Sequence, residues 1–293
     1  EWCRINCYSK GRPCEIALIA YWKRIFVKMA LEELSNLVEN VLRQRGWHFN
    51  VALYEKDNPQ VLTSLIDSRW NIEVVAHSKL EEILQGVVEK EGLQHIFPDP
   101  VSTLLYTAMT HEGGHWENCP YDINQCEEIL HGTSQGLKSV SISERDLPFF
   151  IGRAANFFDD IIDDTLNSIY DKNSEEYVKG LALRMVLFRE MDNSVFGTQH
   201  FSKTFTVYAD LLSRLTGMPQ ELREKIAAAY HPEMPELESV VKDTLGVLLE
   251  DKDLAERVYA GDLSPAVRSA VASKFSDKMS WGSKAQQFAG LVA

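Results

Sequence analysis

The chain has 293 residues, of which 45% are apolar and 25% charged, with 43 acidic against 30 basic side chains and a formal net charge of −13. That length supports one large domain or two ordinary ones, and the proportions exclude both wholesale disorder and a collagen-like chain. The acidic balance argues against a nucleic-acid binder, which needs a basic face for phosphate contacts, and no apolar run reaches the roughly 20 residues of a membrane helix.

The first residue is Glu1 rather than Met, as in a processed or trimmed chain, and no signal-peptide pattern follows it. Five cysteines are few for the length and odd in number. They do not make a disulfide framework, so a soluble protein of a reducing, cytoplasmic compartment is expected.

In chain order, apolar residues three or four apart (Ile19, Trp22, Ile25, Met29, then Leu34 to Leu42) predict a long amphipathic helix over 15–45. The alternating stretches WHFNVALY (47–54) and NIEVVA (71–76) predict two short strands, with a helix over 59–67 between them. A helix over 79–89 follows, then Phe97-Pro98-Asp99-Pro100, a strong break. Beyond it the period predicts helices over 102–116, 124–138, 143–170, 174–191, 201–215, 220–230, 237–249 and 265–278. Ser143 with Asp146, Ser174 with Tyr177 and Pro219 supply start signals. The expected fold class is mainly α (α+β), with a small N-terminal β-sheet and a helical C-terminal part. Residues 1–100 would hold the first helix and the sheet, 101–218 the helices of a candidate site, and 219–293 further helices, as three regions or one continuous domain.

His111-Glu112-Gly113-Gly114-His115 carries the chemistry. Residues four apart share a helix face, so His111 and His115 can aim imidazole nitrogens at one metal ion. Glu112 then lies beside the metal, where a carboxylate can take a proton from water as general base. The apolar run Val101 to Met109 ahead of the motif suits a buried helix feeding its last turn into a cleft. Each glycine costs about 1 kcal/mol against Ala inside a helix, which calls for a reason such as close approach of another backbone. The alternative is a helix C-terminus at Gly113-Gly114 with two structural histidines.

Through HEGGH and the apolar helix before it, residues 101–170 resemble the zincin metallopeptidases. The resemblance implies a zincin-like helical domain, a Zn²⁺ cofactor, a peptide or protein substrate, and a third protein ligand downstream. The metzincin version would need Gly at 118 and His at 121, where this chain has Asn118 and Tyr121. The gluzincin version places a ligand carboxylate on a later helix, followed four residues on by an Asp that braces a ligand histidine. Asp159, 44 residues after His115, fits the ligand role with Asp163 as its brace; Asp160 with Asp164 is the neighbouring choice. The metal set implied is therefore His111, His115 and Asp159, with Asp160 and Asp163 as brace or alternative ligand and Glu112 as catalytic base. The plainer reading of the aspartates is a solvated helix face.

Asp159-Asp160-Ile161-Ile162-Asp163-Asp164 also resembles the aspartate-rich motif of isoprenyl diphosphate synthases, all-α enzymes that hold diphosphate through Mg²⁺. The Arg pair and the second Asp-rich motif of that family are missing after it. An inactive zincin-like binding or scaffold domain is a third reading, against which Glu112 is intact. Cys119 lies four residues after His115, but no Cys-x-x-Cys pair marks a zinc knuckle. Tyr170, His200, Tyr208 and His231 are chemically able to stabilise an oxyanion, and nothing in the sequence ranks them.

Overall fold

The structure is a computed structural model that describes residues 36, 39–40, 43, 50–55, 60–66, 69–76, 80–118, 123–140, 142–195, 199–230 and 236–292. The helix expected over 15–45 lies outside these residues except at Asn36, Glu39, Asn40 and Arg43, all of them helical.

Residues 50–76 trace β1 (Asn50–Glu55), β2 (Gln60–Ile66) and β3 (Arg69–Ala76). They run in the order β1-β3-β2, with β1 parallel and β2 antiparallel to β3. The helix expected over 59–67 is thus corrected to β2. Val61, Thr63 and Ile66 are β-branched, and such side chains lose rotamer freedom on a helix but fit a pleated strand.

From residue 80 the described chain is mainly helical, as the apolar period predicts. The helices are α1 (Leu80–Lys90), α2 (Pro100–Asn118), α3 (Ile123–Gly136), α4 (Leu147–Tyr170), α5 (Ser174–Val195), α6 (Gln199–Thr216), α7 (Gln220–Tyr230), α8 (Leu237–Leu249), α9 (Lys252–Tyr259), α10 (Pro265–Phe275) and α11 (Trp281–Val292). Expected boundaries shift where local chemistry competes. The helix expected from Ser143 begins at Leu147, because Pro148 is tolerated only in a first turn. Ser143 is spent on a turn instead: its hydroxyl donates to Asp146 Oδ2 at 2.6 Å and accepts the Asp146 N–H at 3.2 Å. The sequence pattern also missed α9 and α11. The first is only 8 residues long, started by Asp251 accepting the Leu254 N–H at 3.0 Å; the second contains Gly282 and Gly290 and depends on tertiary contacts.

The chain divides into two compact units, 1–113 with 175–195 and 114–174 with 196–293. The division falls inside α2, which runs on unbroken. In the first unit α5 packs its backbone onto α2 at Gly180, where an added Cβ would strike the Thr107 side chain and the Thr103 carbonyl. Thr103 donates to Glu176 Oε1, and Leu104, Leu105, Met109, Tyr177 and Leu181 are buried around this seam.

In the second unit α4 is the central helix. Its Phe157 stacks on Tyr208 of α6 at 4.7 Å between ring centroids, and its Phe158 meets Trp281 and Phe288 of α11 at 6.4 and 5.9 Å. α3 and α11 lie backbone against backbone. A Cβ on Gly132 would collide with the Gly282 carbonyl, and one on Gly136 with the Gln286 carbonyl, so only hydrogen fits at either crossing point. Gly246, inside α8, has nothing within 4 Å of an added Cβ. Gly132→Ala is therefore expected to destabilise the protein by about 1–3 kcal/mol through overpacking. Gly246→Ala is expected to gain up to about 1 kcal/mol of helix propensity. Thermal and urea unfolding of the two variants checks the opposite signs.

Candidate metal centre

The middle of α4 is buried on all sides: Ala154, Ala155 and every residue from Phe157 to Ser168 are out of solvent. Asp159, Asp160, Asp163 and Asp164 are at most 4% exposed, so they do not form a solvated helix face. A buried carboxylate carries a desolvation cost of several kcal/mol unless donors or cations satisfy it, and its surroundings show how these four are met.

The His115 ring, on the last turn of α2, lies between two of them. Its Nδ1 is 3.4 Å from Asp159 Oδ2 and its Nε2 is 3.6 Å from Asp160 Oδ1. Asp160 also accepts the Asn156 amide, one helical turn earlier, at 3.0 Å. Asp163 accepts the Asn118 amide on Oδ1 at 2.8 Å and the Asn167 amide on Oδ2 at 2.9 Å. Asp164 Oδ2 lies 3.5 Å from the hydroxyl of buried Tyr208. Asp159 Oδ1 is buried and has no hydrogen-bond partner.

Gly114 allows α4 to come this close. A Cβ built at 114 would meet the Asn167 amide nitrogen and both oxygens of Asp163, at 2.5 and 2.8 Å for the latter. Side chains of α4, rather than its backbone, fill the space left by the glycine. His111 stands one turn before His115 on the same helix and is 3% exposed, while the His115 side chain is 26% exposed and Glu112 partly exposed. One ligand atom each of His111, His115 and Asp163 lie within 4.8 Å of one another. Two imidazoles and a carboxylate make a donor set that could hold a metal ion.

Of the residues expected from the sequence, the structure groups His111, His115 and Asp163, and places Asp159 and Asp160 against the two nitrogens of His115. Asn118, Asn156 and Asn167 carried no expectation from the sequence. Their signal was helical spacing: Asn118 follows His115 by three residues, Asn167 follows Asp163 by four, and Asn156 precedes Asp160 by four. Among the oxyanion candidates, Tyr170 is 64% exposed and Tyr208 turns toward Asp164, while the His200 side chain and His231 lie outside the described residues. Cys126 is a buried thiol, and Cys3, Cys7, Cys14 and Cys119 are outside the described residues.

Compared with protein-family models, with curated proteins and with solved structures, the chain matches none of them.

Gly114→Ala tests the contact between α2 and α4. Helix propensity alone would favour Ala by about 1 kcal/mol; displacement of Asp163 and Asn167 is expected to reverse that to a net loss of about 1–3 kcal/mol. Gly86, inside α1 with open space around an added Cβ, is the matched control. Its Ala variant should be neutral or stabilised in the same thermal unfolding measurement.

Proposed function

We propose that this protein is a zinc-dependent hydrolase acting on peptide or protein substrates, with its metal held by His111, His115 and Asp163. The observation that carries the reading is the proximity of one donor atom from each of these residues, within 4.8 Å, beside an intact Glu112. A metal on one ring nitrogen of His115 leaves only the other to donate, so one of Asp159 and Asp160 would fix the ring's orientation and tautomer, as carboxylates do for metal-bound imidazoles. The sequence motif favoured the reverse assignment, with Asp159 as ligand and Asp163 as brace. Asp163 is preferred here because it stands with both histidines, whereas Asp159 is placed against His115 alone.

Held by His111, His115 and Asp163, zinc would supply Lewis acidity toward a carbonyl and water. Glu112 follows His111 directly on α2 and is partly exposed. It takes the proton from the attacking water as general base and delivers it to the leaving amine. The carboxylate on the ring nitrogen that the metal does not take, Asp159 or Asp160, would orient His115 through both steps. The gluzincin-like resemblance supports peptides as the substrate class. The Mg²⁺-diphosphate reading gains nothing from the geometry, because Asp159 and Asp160 lie against the His115 ring and Asp163 accepts two asparagine amides.

Protein purified without chelator or a His-tag should contain about one zinc per chain by mass spectrometry, matching a single three-ligand centre. His111→Ala with His115→Ala should abolish it, and Asp163→Asn should lower zinc affinity more than Asp159→Asn. Glu112→Gln should keep the zinc and reduce hydrolysis of a peptide library by roughly 10²- to 10⁴-fold, the usual contribution of a general base. Absence of zinc from the wild-type protein would end the reading. Zinc without any hydrolysis would assign the chain to a non-catalytic, zincin-like binding domain.

A further inference from the structure

We propose that Asn118 and Asn167 form an amide clamp that positions the Asp163 carboxylate for metal binding, an inference that rests on the zinc reading above. The two asparagines come from different helices, Asn118 from the last position of α2 and Asn167 from α4, one turn beyond Asp163. Each donates to a different oxygen of the same carboxylate, at 2.8 and 2.9 Å. The Asn118 amide nitrogen also lies 3.5 Å from Asn167 Oδ1, which ties the two clamps to each other.

The chemistry selects this role. A side-chain amide nitrogen only donates and an ionised carboxylate only accepts, so both amides must turn their nitrogens toward Asp163. With each oxygen held by one N–H from a different helix, rotation of the carboxylate about its χ2 bond breaks at least one hydrogen bond. Asp163 is fully buried and Asn167 2% exposed, so water cannot replace a lost donor freely. The Asp163 carboxylate is thereby held in a fixed orientation, with one ligand atom within 4.8 Å of those of His111 and His115. Gly114 belongs to the same device, since a methyl group at that position would displace the Asn167 amide and the Asp163 oxygens together. Asn118 and Asn167 are positioning residues, acting on the metal through Asp163.

The test measures metal binding by the full-length chain, using Zn²⁺ in competition with a chromophoric chelator and the visible absorption spectrum of the Co²⁺-loaded protein. Asn118→Ala is the primary variant, because Asn118 is only partly buried and its removal leaves the α4 core intact. Asn167→Ser is the second. Each should weaken Zn²⁺ binding by about 10- to 100-fold, as loss of a group that orients a ligand does. Each should also shift or broaden the Co²⁺ bands, a signature that a purely structural role would not move, while helical circular dichroism of the metal-free protein stays unchanged. Asn118→Gln, which retains the amide, should recover part of the affinity. Wild-type Zn²⁺ affinity and an unchanged Co²⁺ spectrum in Asn118→Ala would overturn the clamp while leaving the zinc site standing. A wild-type protein that takes up neither metal would overturn both.

Discussion

Burial of four carboxylates on one helix is the constraint around which the second unit is arranged. α4 is held in the interior by its apolar residues, with Phe157 against α6 and Phe158 against α11. That packing leaves Asp159, Asp160, Asp163 and Asp164 no escape to solvent. Water is therefore replaced by side chains of fixed position: the His115 ring, the amides of Asn118, Asn156 and Asn167, and the Tyr208 hydroxyl. Apolar burial and polar satisfaction act on alternate faces of the same helix, each limiting where the helix can move. A polar network in a medium of low dielectric is strong when complete and costly when a partner is lost.

The glycine in HEGGH takes its meaning from this arrangement. Helix propensity disfavours it, and a locally optimal sequence would place Ala there. Gly114 is retained at the point where Asp163 and Asn167 lie against α2, so local stability is given up for proximity between helices. The same exchange recurs at Gly132 and Gly136, where α3 meets the backbone of α11. Conflict between a local preference and a tertiary contact is what functional or tightly packed positions are expected to show.

Local chemistry made much of the fold legible. The 3.6-residue period marked most helices between residues 80 and 275, and the bounds 220–230 and 237–249 coincide with α7 and α8. The failures have physical causes. Val61, Thr63 and Ile66 suit a strand better than a helix, Pro148 delays the start of α4, and α9 is too short to display a period. α11 carries two glycines and has its reason for being helical in α3, about 150 residues earlier in the chain, a distance that local pattern reading does not span.

For the candidate centre, the donor types and their spacing are legible in the amino-acid order alone. His111 and His115 must share a helix face, Glu112 must lie beside it, and the aspartates of 159–164 must lie close together on a later helix, because helical geometry follows from four-residue separations. Packing between helices selects which aspartate stands with both histidines, which two lie against His115, and which amides reach Asp163. Neighbouring positions on α4 differ in direction by about 100°, and the rotation of α4 against the last turn of α2, residues 114–118 of the same unit, selects among them. That rotation is set by packing of Phe157 and Phe158 on distant helices and by the absence of a side chain at Gly114.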